Sequence, residues 1–449
     1  MSDYMFMLES HLSTDQNRVV REVQTAASEA GMSLFLTGGA MRDMLGGSAI
    51  RDLDFCVEGD ALKLAKGLAR RKAAQIVSCD EHRNSAELVF PGGVTVEIAM
   101  ARREQYSKPG ARAQVAPATI HEDLRSRDLT VNAIALSLNR ASRGLLIDPT
   151  NGLADIQHKE LRAVGNYSLY DDPARILRLI RFRARLGFTV EERTQAQYQR
   201  VREAGLEERV SPRKLFDEVH HIANDPNPAD VVRTLHQEGL LKLFSPALAG
   251  GKLNLAGLVR LQKARQLVPF GVYFPVENLG LFLSLLTEKL SPKEKAALIK
   301  GLALRKSEID LWQKLEGRAR KIERRLKSAK PRRPSEIYRV LAPAPGEEIF
   351  FLLTHSSLDL VRDRIRNCLQ KYFPLAQEVT DEQVRAKGVE PGTPKYKKTK
   401  EELIQARLDA RPKRPAPPPE PPPPERSPVG PPVRTGPAAF RKPLTRPVR

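Results

Sequence analysis

The sequence predicts an α+β chain, with a mixed head of strands and helices over residues 1–150 followed by an all-helical remainder. Three observations carry this expectation. Short apolar runs bounded by turn residues alternate with helical periodicity up to about residue 150. Beyond Asp172, apolar positions recur almost only at helical spacing. From about Arg411, large apolar residues nearly vanish and proline dominates.

Residues 17–30 (NRVVREVQTAASEA) space their apolar side chains as a helix does, and Gly31 is placed to end it. SLFLT (33–37) reads as a strand closed by Gly38-Gly39, AMRDMLG as a helix and RDLDFCV as a second strand. DALKLAKGLARRKA is helical, and AELVF and VTVEIAM are strand-like. IHEDLRSRDLTVNAIALSL starts helical and ends as a strand. PARILRLIRFRARLGF, PADVVRTLHQEGLL and LGLFLSLLTEKL then predict a helical neck over 151–245 and a helical body and tail over 246–410. Residues 411–449 are too poor in apolar side chains to offset the entropy of ordering, so they are expected to be disordered or polyproline II.

With 74 Lys and Arg against 54 Asp and Glu, the chain carries a formal net charge of +20, which points to polyanionic partners. Cys56, Cys79 and Cys368 lie far apart without a CxxC spacing. That argues against a disulfide framework or a zinc site and fits a reducing, cytoplasmic setting. The first residues lack the basic and apolar segments of a signal peptide. No run approaches the roughly 20 apolar residues of a membrane span, so no membrane is expected as a partner; nor is DNA.

Chemistry concentrates in LTGGAMRDMLGGSAIRDLDF, residues 36–55. Residues two apart on a strand project from one face, so Asp52 and Asp54 present two carboxylates side by side with Leu53 turned to the core. Adjacent carboxylates repel unless a cation sits between them, and hard oxygen donors of this kind suit Mg²⁺. Gly38 and Gly39 open a helix whose N–H groups form a natural cradle for phosphate. Together these parts suit phosphoryl or nucleotidyl transfer. A lone DxD or a lone GG turn is commonplace in loops; their ordered spacing, GGAMRD…RDLD, is far more specific.

That spacing resembles the active-site signature of polymerase β superfamily nucleotidyltransferases. More narrowly, it resembles the class II branch of tRNA nucleotidyltransferases (CCA-adding enzymes) and bacterial poly(A) polymerases. RSRDLTVNAIA (125–135) is similar to that family's second motif, with Ser126 replacing an arginine. VEIAMARREQY (96–106) matches a stretch with a third acidic residue, here Glu97, and an arginine, here Arg102. DPTNGLADI (148–156) matches at Asp148, Gly152 and Asp155. YDDPARILRLIRFRARLGF (170–188) resembles the element that selects the incoming base, with Asp171 where the family has Glu. KGVEPG, near the end of the body, resembles a C-terminal element more weakly.

The resemblance implies a polymerase β-like head followed by helical neck, body and tail. It also implies that Asp52 and Asp54 are catalytic and hold Mg²⁺, and that Gly38, Gly39 and Arg42 cradle phosphates. Arg127, Asp128 and Asn132 are then expected to position the sugar and triphosphate. Asp172 and Arg175, three apart, fall on one face if they share a helix. A carboxylate accepts from an exocyclic amine and a guanidinium donates to a ring nitrogen, a pattern that fits cytosine and adenine and mismatches uracil and guanine. Two unpaired buried groups at roughly 1–3 kcal/mol each give discrimination on the order of a hundredfold or more. The plainer alternative is a helix-start cap with a surface ion pair. Arg178 and Arg181 continue that helix and suit a triphosphate, whereas Arg185 fits a solvated basic face equally well.

Arg320, Lys321, Arg324 and Arg325, with Lys395, Lys397 and Lys398, are candidates for phosphate contacts to a tRNA acceptor arm, against the plainer reading of solvated surface. His220, His221 and Trp312 read as packing or surface residues. The expected activity is addition of CMP and/or AMP, from CTP and ATP, to the 3′ end of tRNA with release of pyrophosphate. A poly(A) polymerase, a CC-only or A-only enzyme, and an inactive RNA-binding module are the alternatives. Oligomeric state and the role of the proline-rich tail stay open.

Overall fold

In the computed structural model, which describes residues 3–248, 250–269, 271–328 and 333–410, the head is built on one twisted sheet. Its strands, with a separate hairpin, are β1 (Ser33–Thr37), β2 (Leu53–Glu58), β3 (Gln75–Asp80), β4 (Ser85–Val89), β5 (Thr95–Met100), β6 (Arg102–Gln105), β7 (Gln114–Pro117), β8 (Ala135–Ser137) and β9 (Leu146–Ile147). The sheet order is β3-β4-β5-β2-β1-β8-β9, while β6 and β7 pair only with each other. β2 and β5 run parallel and the other neighbours antiparallel, so the sheet is mixed. The proline-rich segment 411–449 lies outside the described residues.

β1 reads as an unbroken apolar run because both of its faces are covered. Leu34 and Leu36 enter the main core, whereas Phe35 enters a second cluster on the other face with Cys56 and Leu124. β2 follows the same division, with Leu53, Phe55 and Val57 in the main core. The helix Thr14–Glu29, closed at its start by a Ser13–Gln16 capping box, lays Val19, Val23 and Ala27 on that core. The helix Asp3–His11 and the strands β3, β6 and β7 are additions to the elements the sequence reading placed.

The neck departs from the all-helical expectation. Glu160–Leu161 and Thr189–Val190 form a short parallel pair, extended by Thr189 and Glu191 N–H groups donating to the carbonyls of Lys159 and Leu161. This pair brackets the helices Ser168–Asp171 and Arg175–Leu186. The body is helical, and Trp312 packs within it as the sequence suggests, 6% exposed.

Gly152 shows why the DPTNGLADI element needs glycine. The Asp148 carboxylate caps the helix Gly152–His158 by accepting from the N–H groups of Gly152 (2.8 Å) and Leu153 (2.9 Å). The helix start then presses against the turn at Thr130, so closely that a Cβ on residue 152 would sit 2.1 Å from the Thr130 carbonyl oxygen. Gly152→Ala is therefore expected to cost about 2–3 kcal/mol in urea denaturation, since backbone must shift. Gly317→Ala, in the helix Leu315–Leu326 with open space around the added methyl, is expected to gain up to about 1 kcal/mol.

Candidate active site

β1 runs directly into the helix Gly38–Leu45, and Gly38 makes the turn with φ +64°, a left-handed conformation that glycine adopts without strain. A Cβ on Gly38 or Gly39 would lie 3.1 or 3.2 Å from Asp54 Oδ2. The bare backbone lets the carboxylate approach, and the Gly39 N–H donates to Asp54 Oδ2 at 2.9 Å. This N–H was expected to be free for phosphate; it is instead committed to the neighbouring strand.

Asp54 lies on β2, half-buried, whereas Asp52 is exposed one residue before the strand begins. The two-residue alternation of a strand therefore does not by itself place Asp52; the Thr95 hydroxyl does, donating to Asp52 Oδ1 at 2.5 Å. Leu53 between them is fully buried, as expected. The parallel register sets Glu97 of β5 opposite Asp54. Burial, then the charges of Glu97 and Asp52, push the Asp54 carboxyl up to about 7, against the Gly39 N–H and Arg127. Burial also raises Glu97, with Glu87 adding like charge and Arg102 and Arg127 opposing.

This is a site short of positive charge. Among the described residues no three His, Cys, Asp or Glu side chains form a closed metal cage. Two carboxylates with open positions are nevertheless the usual provision for a hard divalent cation that also takes water and substrate phosphate oxygens. The donor set fits such a cation.

Behind the carboxylates runs a chain of arginines. Arg127 donates from Nε to Asp123 at 2.9 Å, from Nη1 to the Asn132 carbonyl at 3.1 Å and from Nη2 to the Thr37 hydroxyl at 3.3 Å. Arg42 donates to Asn132 Oδ1 at 2.7 Å and to Asp43 at 2.7 and 2.9 Å. Asn132 Nδ2 donates to Asp128 Oδ1 at 3.3 Å, and Arg178 Nε donates to Asp128 Oδ2 at 2.6 Å. Arg181 donates to Glu218 at 3.0 Å. The Phe182 ring sits amid Arg42, Arg178 and Arg181, with guanidinium carbons 5.0, 5.9 and 4.7 Å from its centroid. Although burial pushes the Asp128 carboxyl up, Arg178 and Arg175 hold it well below the usual carboxylate range.

The candidate nucleotide-binding residues are thus brought together, but not all as a phosphate cradle. Arg42 and Arg181 are each only 5% exposed and are paired inside the protein. Arg42 joins the head helix to the neck through Phe182, while Arg181 is paired within the neck to Glu218. Arg185 also joins the two, donating to Asp43 at 3.3 Å rather than standing on a solvated face. Arg127 borders the glycine turn, its Nη1 3.5 Å from where a Gly38 Cβ would be.

Asp172 and Arg175 do not share one helix face. The helix Ser168–Asp171 ends just before Asp172, and the next helix begins at Arg175. Asp172 precedes Pro173 and takes the extended conformation that proline imposes on its predecessor, φ −123° and ψ 91°. Its Oδ1 lies 2.8 Å from Lys214 Nζ and accepts the Ala174 N–H at 3.2 Å, while Oδ2 is 3.4 Å from the Tyr106 hydroxyl. The cap of the plainer reading is present; the ion pair is buried rather than superficial, with Asp172 9% exposed. Arg175 donates to Ser168 Oγ at 2.6 Å, to the Ser126 carbonyl at 3.0 Å and to the Arg127 carbonyl at 3.2 Å. These contacts orient Arg175, and Asp171 makes no side-chain hydrogen bond or ion pair with it. Thr95, Tyr106, Lys214 and Glu218 are the site neighbours that sequence reasoning missed. Lys214 and Glu218 sit on a helix whose pattern signals only amphipathic packing.

On the body, Lys321, Arg324 and Arg325 are exposed on the helix Leu315–Leu326, opposite the buried Leu315, Ala319, Ile322 and Leu326. Arg320 is tied to Glu316 and Glu323. Lys395, Lys397 and Lys398 are exposed on Pro394–Asp409. Among the described residues none of these six exposed cations has an acidic partner. No helix of the described residues is long and apolar enough to cross a membrane.

Comparison with known proteins agrees with this architecture. Residues 34–162 match the Poly A polymerase head domain. The A-adding tRNA nucleotidyltransferase of Geobacter sulfurreducens is 27% identical over 418 residues, 91% of this chain and 47% of that protein. The A-adding tRNA nucleotidyltransferase of Aquifex aeolicus is 30% identical over 341 residues, 75% of this chain and 40% of that protein. The solved structure of a CCA-adding enzyme in apo form II is 26% identical, with a TM-score of 0.52, covering 91% of this chain and 96% of that one. The chain spans about half the length of the curated relatives it matches. With the signature carboxylates, the mixed head sheet and the helical remainder matching together, residues 34–162 form a Poly A polymerase head domain, and the chain as a whole is similar to the tRNA nucleotidyltransferases that carry such a head.

Proposed function

We propose that this protein adds nucleotides to the 3′ end of tRNA without a template, taking AMP and/or CMP from ATP and CTP and releasing pyrophosphate. The observation that carries this reading is Asp54 packed against the glycine turn with Asp52 one core residue away, and the buried carboxylate of Asp172 in the neck that adjoins them. Asp52 and Asp54 hold Mg²⁺, which when bound supplies charge neutralisation of the triphosphate and activation of the 3′ hydroxyl. Arg127 and the Gly38-Gly39 turn border the phosphate site. Asp128, Asn132 and Arg178 set the position of the sugar and neck, and Asp172 and Arg175 address the base. Lys321, Arg324, Arg325, Lys395, Lys397 and Lys398 offer unpaired charge to RNA phosphates. The head over 1–150, neck over 151–245 and body over 246–410 divide this work, in a cytoplasmic setting.

A narrower reading, addition of A alone to RNA already ending in CC, is favoured by the two A-adding relatives. Transcripts ending before CCA, after the first C and after the second C separate the cases, each incubated with labelled CTP or ATP and Mg²⁺. Completion from all three, followed by arrest, is the CCA-adding outcome. A single A on the CC-ending transcript alone supports the narrower reading. Long A ladders would make the protein a poly(A) polymerase, and no incorporation would leave an RNA-binding module. Chelation with EDTA is expected to abolish every product, and excess Mg²⁺ to restore it.

A further inference from the structure

Lys214 lies in the helix Pro212–Asn224, whose N-cap Ser211 accepts the Lys214 N–H. Its chain carries the ammonium to a buried position 2.8 Å from Asp172 Oδ1 and 5.5 Å from the centroid of the Tyr106 ring. Asp172 Oδ1 is therefore engaged twice, by an ion pair with Lys214 whose alignment falls short of a hydrogen bond, and by the Ala174 N–H at 3.2 Å. Oδ2 is nearly free. Its one neighbour, the Tyr106 hydroxyl at 3.4 Å, has a better acceptor in Glu104 at 2.8 Å. Arg175 cannot take over the role of Lys214, because Ser126, Arg127 and Ser168 hold its guanidinium.

We propose that Lys214 is a positioning residue for base selection, pinning one oxygen of Asp172 so that the other stays a free acceptor for an exocyclic amine. The inference rests on the nucleotide-transfer reading above. Its physical core is polarity. An ionised carboxylate only accepts hydrogen bonds, and so matches the amine of adenine or cytosine. A carboxylate oxygen that meets the carbonyl guanine or uracil places at the same position leaves two acceptors without a donor, a penalty that discriminates only while the carboxylate is held in place. Lys214 thus works through Asp172 and needs no contact with substrate.

The test compares wild type, Lys214→Met and Lys214→Arg on a CC-ending transcript with ATP against GTP, with thermal melting as a fold control. Lys214→Met, similar in length but uncharged, is expected to lower the ATP-over-GTP ratio of kcat/KM by about tenfold, mainly through a higher KM for ATP. Lys214→Arg is expected to restore the ratio to within about threefold of wild type, since it keeps the charge. An unchanged ratio, or equal losses with ATP and GTP, would overturn the proposal and leave Lys214 a packing residue. If wild type incorporates nothing, the transfer reading itself fails. Equilibrium binding of ATP and GTP to wild type and Lys214→Met then decides the question for Lys214, an unchanged preference counting against it.

Discussion

Asp54→Asn is expected to reduce nucleotide incorporation by about a thousandfold or more while raising the thermal midpoint of the metal-free protein at pH 8. The loss of activity follows from removing one of two carboxylates available to the cation, an electrostatic contribution of several kcal/mol at about 1.4 kcal/mol per tenfold in rate. The gain in stability follows from the direction of the Asp54 shift. Its carboxyl is pushed up to about 7 by burial and by Glu97 and Asp52, so the folded state holds a proton that the unfolded chain releases near pH 4. Between those values the folded state binds more protons, and stability falls as pH rises. An amide carries no such charge, yet its oxygen still accepts the Gly39 N–H. Steady-state incorporation and melting curves at pH 5 and pH 8 check both halves. A variant that stays active, or one destabilised most at pH 8, would sink the account.

That opposition between stability and activity explains why the signature was readable in the sequence. A glycine at φ +64° and a second glycine whose missing Cβ admits an oxygen are demanded by the tight turn between strand and helix, so they lie side by side in the chain. Strands β1, β2, β4 and β5 were readable for a related reason, since apolar runs and glycine turns are local signals. Partnerships across the fold were not. Thr95 reaches Asp52 only because β2 and β5 run parallel, a pairing that no local pattern encodes. Lys214 meets Asp172 across a helix boundary that Pro173 creates. The same proline defeats the helical-face argument for Asp172 and Arg175, although the residue types were those expected. The parallel pair in the neck is only two residues long on each side, too short for any periodicity to register.

The arginine chain is where the burial of charge can be weighed most directly. Asp128 is 7% exposed and bonds three ways, to Arg178 Nε at 2.6 Å, to the Leu129 N–H at 2.8 Å and to Asn132 Nδ2 at 3.3 Å. Asp128→Ala strands Arg178 beside Arg181 and Phe182, leaving one carboxylate, Glu218, for both guanidiniums. The Arg178 side chain is 34% exposed, so breaking this pair from one side costs less than the figure for a fully buried pair, about 2–3 kcal/mol against a typical folding free energy of about 5–15 kcal/mol. Urea denaturation is therefore expected to show a loss of that size, and Asp128→Ala with Arg178→Met to recover part of it, because the second change removes the stranded charge. The pH dependence has a definite sign. Asp128 sits below the usual carboxylate range in the folded state, so its contribution is complete above about pH 4 and is lost as pH falls toward the folded value. The wild-type protein should accordingly lose stability in acid more steeply than Asp128→Ala. Parallel acid profiles would mean that Arg178 is solvated rather than paired, and that head and neck are joined without it, by Arg185, Arg175 and the contacts around Phe182.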